Sequence, residues 1–145
     1  MGRILALDYG RKRTGVAVTD PMQMIASPLA TVPTSGLESF LFEYIAGEKV
    51  DEIVIGYPVQ MNNEPSESVK YIEPFLKRLK KLFPATPVNL YDERFTSKMA
   101  FQAMIDGGVK KKERSDKGMV DRISASLILQ SYLEKRSFLK GKENL

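Results

Sequence analysis

The pattern of apolar and polar positions predicts a series of short strands that gives way to alternating helices and strands. Compact apolar runs bounded by Gly, Pro or Asp are typical of strands. Five such runs occur, at residues 3–8, 14–19, 25–32, 52–57 and 87–92. The short Gly-containing link after the first run favours an antiparallel hairpin with the second. Pro28 restricts the third strand to a sheet edge or an irregular start.

Apolar residues spaced three and four positions apart predict four helices. They are expected at residues 37–45, 69–83, 96–106 and 118–134. Thr34 or Ser35 is the expected cap of the first helix. Pro74 lies inside the second stripe, where we expect a kink or a break because proline cannot donate a backbone hydrogen bond.

The order of these elements, β-β-β-α-β-α-β-α-α, predicts an α/β fold. Three antiparallel strands followed by parallel β-α units indicate a five-stranded mixed sheet with helices on both faces. A length of 145 residues fits a single domain, which we place at residues 1–136. The polar segment 137–145 is expected to be a flexible tail.

Composition narrows the chemistry. The chain contains no Cys and no His, which excludes disulfides, Ser-His-Asp and Cys-His nucleophiles and His-ligated zinc. Hydrolysis would therefore depend on carboxylates, Lys, Tyr or a metal held by oxygen ligands, and such ligands suit Mg²⁺ or Mn²⁺. Neither a long apolar span nor an export signal is recognisable, so no membrane association and a cytoplasmic location are expected.

Basic residues outnumber acidic ones only slightly, 22 to 18, but they are clustered. The clusters are Arg11–Arg13, Lys77–Lys81 and Lys110–Lys117. Taken singly, each is better explained as a solvated loop or helix face. Taken together, they favour a polyanionic partner such as nucleic acid.

Three carboxylates stand where a site could form. Asp8 ends the first strand, Glu93 follows the fifth, and Asp121 lies in the first turn of the last helix. Each has an ordinary alternative: a turn cap, an ion pair with Arg94, and a favourable interaction with the helix macrodipole. Small residues follow Asp121 at i+3 and i+4, which would let this helix approach the sheet closely. Three converging carboxylates would repel one another unless divalent cations lay between them.

Four segments in order resemble the signatures of the YqgF/RuvX family, and the resemblance spans nearly the whole chain. They are LALDYGRKRTGVAVTD (5–20), EIVIGYPVQMNN (52–63), YDERFTSKMA (91–100) and VDRISASLILQSYL (120–133). These bacterial proteins are similar to Holliday-junction resolvases of the ribonuclease H-like superfamily. The resemblance implies a ribonuclease H-like fold and a nuclease that processes the 5′ end of the 16S ribosomal RNA precursor. Two departures from the family pattern, Asn62-Asn63 and Ser124, affect no acidic residue.

The resemblance implies that Asp8, Glu93 and Asp121 are the catalytic residues and hold Mg²⁺ or Mn²⁺, with two ions expected. Asp92 remains an alternative to Glu93, because neighbouring residues of a strand point to opposite faces. Nucleic acid would be contacted by the basic residues around the site, namely Arg11, Lys12, Arg13, Arg94, Lys110, Lys111, Lys112 and Arg114.

Structured RNA is the favoured partner, within ribosomal precursor particles, and the protein could be a monomer or a homodimer. Two alternatives remain open, a resolvase that cuts four-way DNA junctions and a non-catalytic RNA-binding assembly factor. An actin-like nucleotide hydrolase is disfavoured because the chain is too short to form two lobes around a nucleotide.

Overall fold

The predicted strands form one mixed sheet. In the computed structural model, which describes residues 2–57, 69–92 and 117–143, the strand order is β3-β2-β1-β4-β5. The strands are β1 (Arg3–Asp8), β2 (Arg13–Thr19), β3 (Ala26–Pro33), β4 (Val50–Tyr57) and β5 (Val88–Asp92). Strand β2 pairs antiparallel with both β1 and β3. Strand β4 pairs parallel with β1, and β5 pairs parallel with β4. This arrangement confirms the predicted sheet, and β3, which contains Pro28, lies at its edge.

In the described part of the chain, three helices pack on this sheet. A 3₁₀ turn at Thr34–Gly36 leads into α1 (Leu37–Gly47), and α2 covers Val69–Leu82. Of the kink or break expected at Pro74, the break is wrong, because α2 continues through this residue, and the kink stays a prediction. A proline inside a helix costs about 3 kcal/mol. The buried stripe of Ile72, Phe75 and Leu79 offsets this cost by packing on the sheet.

The last helix, α3, extends over Lys117–Glu143, past the end predicted at residue 134 and into the polar segment. Residues 135–143 contain no proline and several good helix formers, so nothing local stops the helix there. The helix predicted at residues 96–106 lies outside the described residues. None of the described helices is long and apolar enough to span a membrane.

The two faces of the sheet differ in side-chain size. The face that packs on α1 and α2, here called the α1/α2 face, carries large aliphatic residues: Leu5, Leu7, Val16, Val18, Ile53 and Ile55. The face that packs on α3, here called the α3 face, carries smaller ones: Ile4, Ala6, Ala17 and Val54. Since side chains alternate along a strand, Asp8 falls on the α3 face two residues after Ala6.

Candidate functional site

Asp8 is the last residue of the central strand β1, so it lies at the edge of the sheet formed by the strand ends and not at an outer strand. Its backbone pairs with Gly15 of β2 in the antiparallel register. The carboxyl ends of β4 and β5, which run parallel to β1, meet at the same edge. This edge is where α/β sheets form sites, because the loops that leave the parallel strands diverge there.

Gly15 brings the last helix to this edge. A Cβ added to Gly15 would lie 1.9 Å from the backbone oxygen of Asp121 and 2.3 Å from its carbonyl carbon. Any larger residue would therefore push α3 away from the sheet. Asp8 is the strand partner of Gly15, so Asp8 and the backbone of Asp121 both lie beside this glycine. The structure thus brings together the predicted residues Asp8 and Asp121.

Asp121 is held by an ion pair. The Nε–H of Arg13 donates to Oδ2 of Asp121, whose side chain is 19% exposed. Arg13 lies two residues before Gly15 on β2 and so shares its face of the sheet. The ion pair fixes the direction of the Asp121 carboxylate and balances its charge. Arg13, predicted only as a nucleic-acid contact, therefore also positions an acidic residue.

Two threonines hold the turn between β1 and β2. The Thr34 hydroxyl donates to the backbone oxygen of Gly10 at 2.6 Å, and the Thr34 backbone N–H donates to the oxygen of Lys12 at 3.0 Å. The buried Thr14 hydroxyl lies 3.0 Å from that of Thr34. The expectation that Thr34 or Ser35 caps α1 was wrong, since Gly36 is the cap residue and no side chain bonds to it. Thr34 instead fixes the turn that carries the basic residues.

The amino-terminal end of α3 is tied to the edge strand. The Thr31 hydroxyl on β3 donates to the backbone oxygen of Gly118, and Nη1 of Arg122 donates to the same hydroxyl at 3.2 Å. These bonds link the first turns of α3 to β3. They also limit rotation of α3, which keeps Asp121 directed at the sheet edge.

An open pocket lies beside Asp121. Its volume is about 360 Å³, and it is lined by Gly10, Arg11, Lys12, Arg13 and Asp121. Arg11 and Lys12 are exposed. Three cations around one carboxylate form a local positive surface that suits a phosphate group.

Several predicted site residues cannot be placed. Glu93, Arg94, Lys110, Lys111, Lys112 and Arg114 lie outside the described residues. The backbone of Asp92 ends β5, opposite Tyr57. Among residues 2–57, 69–92 and 117–143 no group of three acidic side chains could hold a metal ion. The role of Glu93, and its choice over Asp92, stays a prediction.

Sequence reasoning missed three residues that shape the site: Gly15, Thr14 and Thr34. The only advance signal for Gly15 was its position opposite Asp8 in the predicted hairpin, combined with the small residues after Asp121. Thr14 and Thr34 gave no signal, because their contact depends on how β3 returns alongside β2.

Comparison with known proteins identifies relatives over almost the full length. A chain from Parabacteroides distasonis is 57% identical over 138 residues, which is 95% of this chain and 99% of the relative. One from Flavobacterium johnsoniae is 54% identical, covering 95% of this chain and all of the relative. Both carry the name "Putative pre-16S rRNA nuclease".

Among solved structures, T. thermophilus RuvC in complex with a Holliday junction substrate superposes with a TM-score of 0.54. The sequences are 17% identical, and the match covers 94% of this chain and 96% of RuvC. This likeness confirms the ribonuclease H-like fold. The profile of the RuvX family, described as Holliday junction resolvase, matches residues 2–135, and the chain therefore belongs to the RuvX family.

Proposed function

We propose that this protein is a metal-dependent nuclease that hydrolyses phosphodiester bonds and processes the 5′ end of the 16S ribosomal RNA precursor. The observation that carries the proposal is the placement of Asp8 and Asp121 on either side of Gly15, at the open edge of the sheet. The names of the near full-length relatives support the same activity and substrate.

The donor set fits a hard divalent cation. Asp8 and Asp121 offer carboxylate oxygens, and the chain has no His or Cys to attract zinc. Glu93, the acidic residue that follows β5 in the sequence, would complete the set. Two bound ions of Mg²⁺ or Mn²⁺ are expected. They would supply the positive charge that activates a water and stabilises the leaving oxygen.

The basic residues have separate tasks in this proposal. Arg11 and Lys12, exposed beside the carboxylates, bind the phosphate backbone. Arg13 orients Asp121 through their ion pair. Arg94, Lys110, Lys111, Lys112 and Arg114 extend the phosphate-binding surface. Contacts of this kind do not read sequence and weaken steeply as salt increases.

The test compares cleavage of labelled precursor 16S RNA and of a four-way DNA junction, each with Mg²⁺, with Mn²⁺ and with EDTA. We expect metal-dependent cutting of the RNA, and its loss in Asp8→Asn and Asp121→Asn while RNA binding is retained. Glu43→Gln, an exposed carboxylate on α1, is the matched control and should cut like the parent.

Each contrary outcome rejects a defined part of the proposal. Cutting that persists in EDTA would overturn the metal mechanism, and cutting by Asp8→Asn at the parent rate would overturn the site. The description of the family as Holliday junction resolvase supports a second candidate function. Preferential cutting of the DNA junction would establish that candidate and reject the RNA substrate. RNA binding without cutting under any metal would identify a non-catalytic assembly factor.

A further inference from the structure

A second, smaller pocket lies between β5 and the carboxyl-terminal half of α3. Its volume is about 150 Å³, and its lining consists of Leu90, Tyr91, Tyr132, Lys135 and Arg136. The three helical residues are spaced i, i+3 and i+4 and so project from one side of α3. Two aromatic rings and two cations thus surround one small space.

Polar contacts fix the aromatic wall of this pocket. The Tyr132 hydroxyl donates to Oε1 of Glu52, and the side-chain amide of Asn89 donates to the same oxygen. Burial, aided by the bond to Glu52, raises the pKa of Tyr132 to about 12, so its hydroxyl stays protonated at neutral pH. The Tyr132 and Tyr91 rings meet edge to face, with centroids 6.2 Å apart and an interplanar angle of 89°. Tyr132 therefore holds the Tyr91 ring in a defined orientation.

Positive charge surrounds the Tyr91 ring. The ammonium group of Lys135 lies over it, 5.8 Å from the ring centroid, within the range of a cation–π interaction. Arg136 lines the same pocket. Aromatic surface combined with Lys or Arg is the chemistry by which proteins bind single-stranded nucleic acid, because every base has a stacking face and every linkage a charge.

The pocket lies on the same side of the sheet as Asp8 and Asp121, and its residue Tyr91 lies near Asp8. Leu7 pairs with Ile55, and the next residue of β4, Gly56, pairs with Tyr91. Asp8 and Tyr91 thus stand in the same row, two strands apart. Adjacent strands lie about 4.8 Å apart, so about 10 Å of backbone separates the two residues. Tyr91 packs against the α3-face core, which is the side that Asp8 faces.

We propose that this pocket binds an unpaired nucleotide of the substrate next to the bond that is cut. The base stacks on Tyr91, while Lys135 and Arg136 bind the adjoining phosphates. The proposal rests on the nuclease function and adds a preference to it: the strand beside the cleavage point is single-stranded.

The experiment measures binding without cutting. Fluorescence anisotropy with a short labelled single-stranded RNA, in EDTA, is compared between the Asp8→Asn protein and the same protein carrying a second change. We expect Tyr91→Ala to weaken binding by about tenfold or more, since one stacked base is lost. Tyr91→Phe keeps the ring and should bind like the parent. Lys135→Gln should weaken binding and reduce its salt dependence by about one counterion.

The matched controls separate the pocket from general effects. Lys49→Gln removes an exposed charge that lies outside the basic clusters and directly before β4, at the opposite end of that strand from Gly56, and should leave affinity nearly unchanged. Fully paired RNA of the same sequence should be insensitive to Tyr91→Ala, whereas single-stranded DNA should respond as the RNA does. Thermal unfolding followed by circular dichroism checks that each variant is folded.

The inference is overturned if folded Tyr91→Ala binds single strands like the parent, or if Tyr91→Phe loses as much affinity as Tyr91→Ala. It is also overturned if the paired RNA loses as much as the single strand. These outcomes differ from failure of the proposed function, which shows as absence of cutting by the unmodified protein. A protein that cuts but ignores Tyr91 rejects only the pocket, and one that binds through Tyr91 but never cuts rejects only the nuclease.

Discussion

The two faces of the sheet differ in the size of the side chains that they bury and in the contacts that this size permits. The α1/α2 face buries Leu, Ile, Val and Phe side chains against two helices. The α3 face buries alanines and has Gly15 at the point of closest approach. Because Gly15 has no side chain, the backbone of α3 contacts the backbone of β2. Large side chains maximise buried apolar area, whereas small ones permit close approach and fine placement. The residues assigned to chemistry, Asp8, Arg13 and Asp121, all belong to the α3 face.

The largest expected effect comes from Gly15→Ala, which would break the close approach. The added methyl group meets the Asp121 backbone at 1.9 Å, so α3 must move. We expect a loss of stability of about 3 kcal/mol or more. Cleavage should fall at least about 100-fold, because displacement of a reacting group by about 1 Å has that cost. Urea unfolding and single-turnover cleavage measure the two effects.

The control for this prediction is Gly47→Ala at the end of α1, whose added Cβ would have no atom within 4 Å. Its stability should stay within about 0.5 kcal/mol of the parent. If Gly15→Ala unfolds and cuts like the parent, the close approach does not place Asp121.

Shortening a buried side chain on the α1/α2 face should lower the stability of the protein and leave its cleavage rate unchanged. Leu79 of α2 is fully buried there, and Leu79→Ala should cost about 2–5 kcal/mol of unfolding free energy. Below the unfolding temperature, the cleavage rate per folded molecule should remain within about twofold of the parent. A large loss of rate in the folded protein would show that the two faces are not separable.

Ser124 tests how well the α3 face is packed. Its hydroxyl is buried and makes no hydrogen bond within the described part of the chain. Because an unsatisfied buried polar group costs about 1–3 kcal/mol, Ser124→Ala should stabilise the protein by about 1 kcal/mol. Ser126→Ala is the counterpart, since Ser126 Oγ donates to the Ile123 oxygen at 2.8 Å, and it should give no gain. Calorimetric unfolding distinguishes the two, and a destabilised Ser124→Ala would contradict the prediction.

The smallest effect is a dependence on alkaline pH at Tyr132, just past the middle of α3. The pKa of Tyr132 is raised from its ordinary 10.0 to about 12, by burial first and by Glu52 second. The folded state therefore holds this proton more tightly than the unfolded state. Its stabilising contribution is complete below pH 10 and is lost as the pH rises toward 12.

The measurement is the urea midpoint at a series of alkaline pH values for the parent and Tyr132→Phe. The parent should lose stability more steeply than the variant between pH 10 and 12. Parallel curves would mean that folding does not raise the pKa of Tyr132.

Local sequence patterns were sufficient to predict the strands and their order in the sheet. Strand and helix periodicity depends on neighbouring residues, so the five strands and their antiparallel-then-parallel order were predicted correctly. The errors arose where packing overrode local preference. Pro74 remains inside α2 because the sheet buries its neighbours, and Thr34 bonds to Gly10 rather than capping α1.

The sequence by itself determined the sheet, the absence of histidine and cysteine chemistry, and the position of Asp8 at a strand end. Only the tertiary structure decided that Gly15 admits α3, that Arg13 pairs with Asp121, and that Tyr91 lies in the row of Asp8. The physical reason is separation along the chain. Arg13 and Asp121 are 108 residues apart, and such a contact is fixed by how whole elements pack, which no local period encodes.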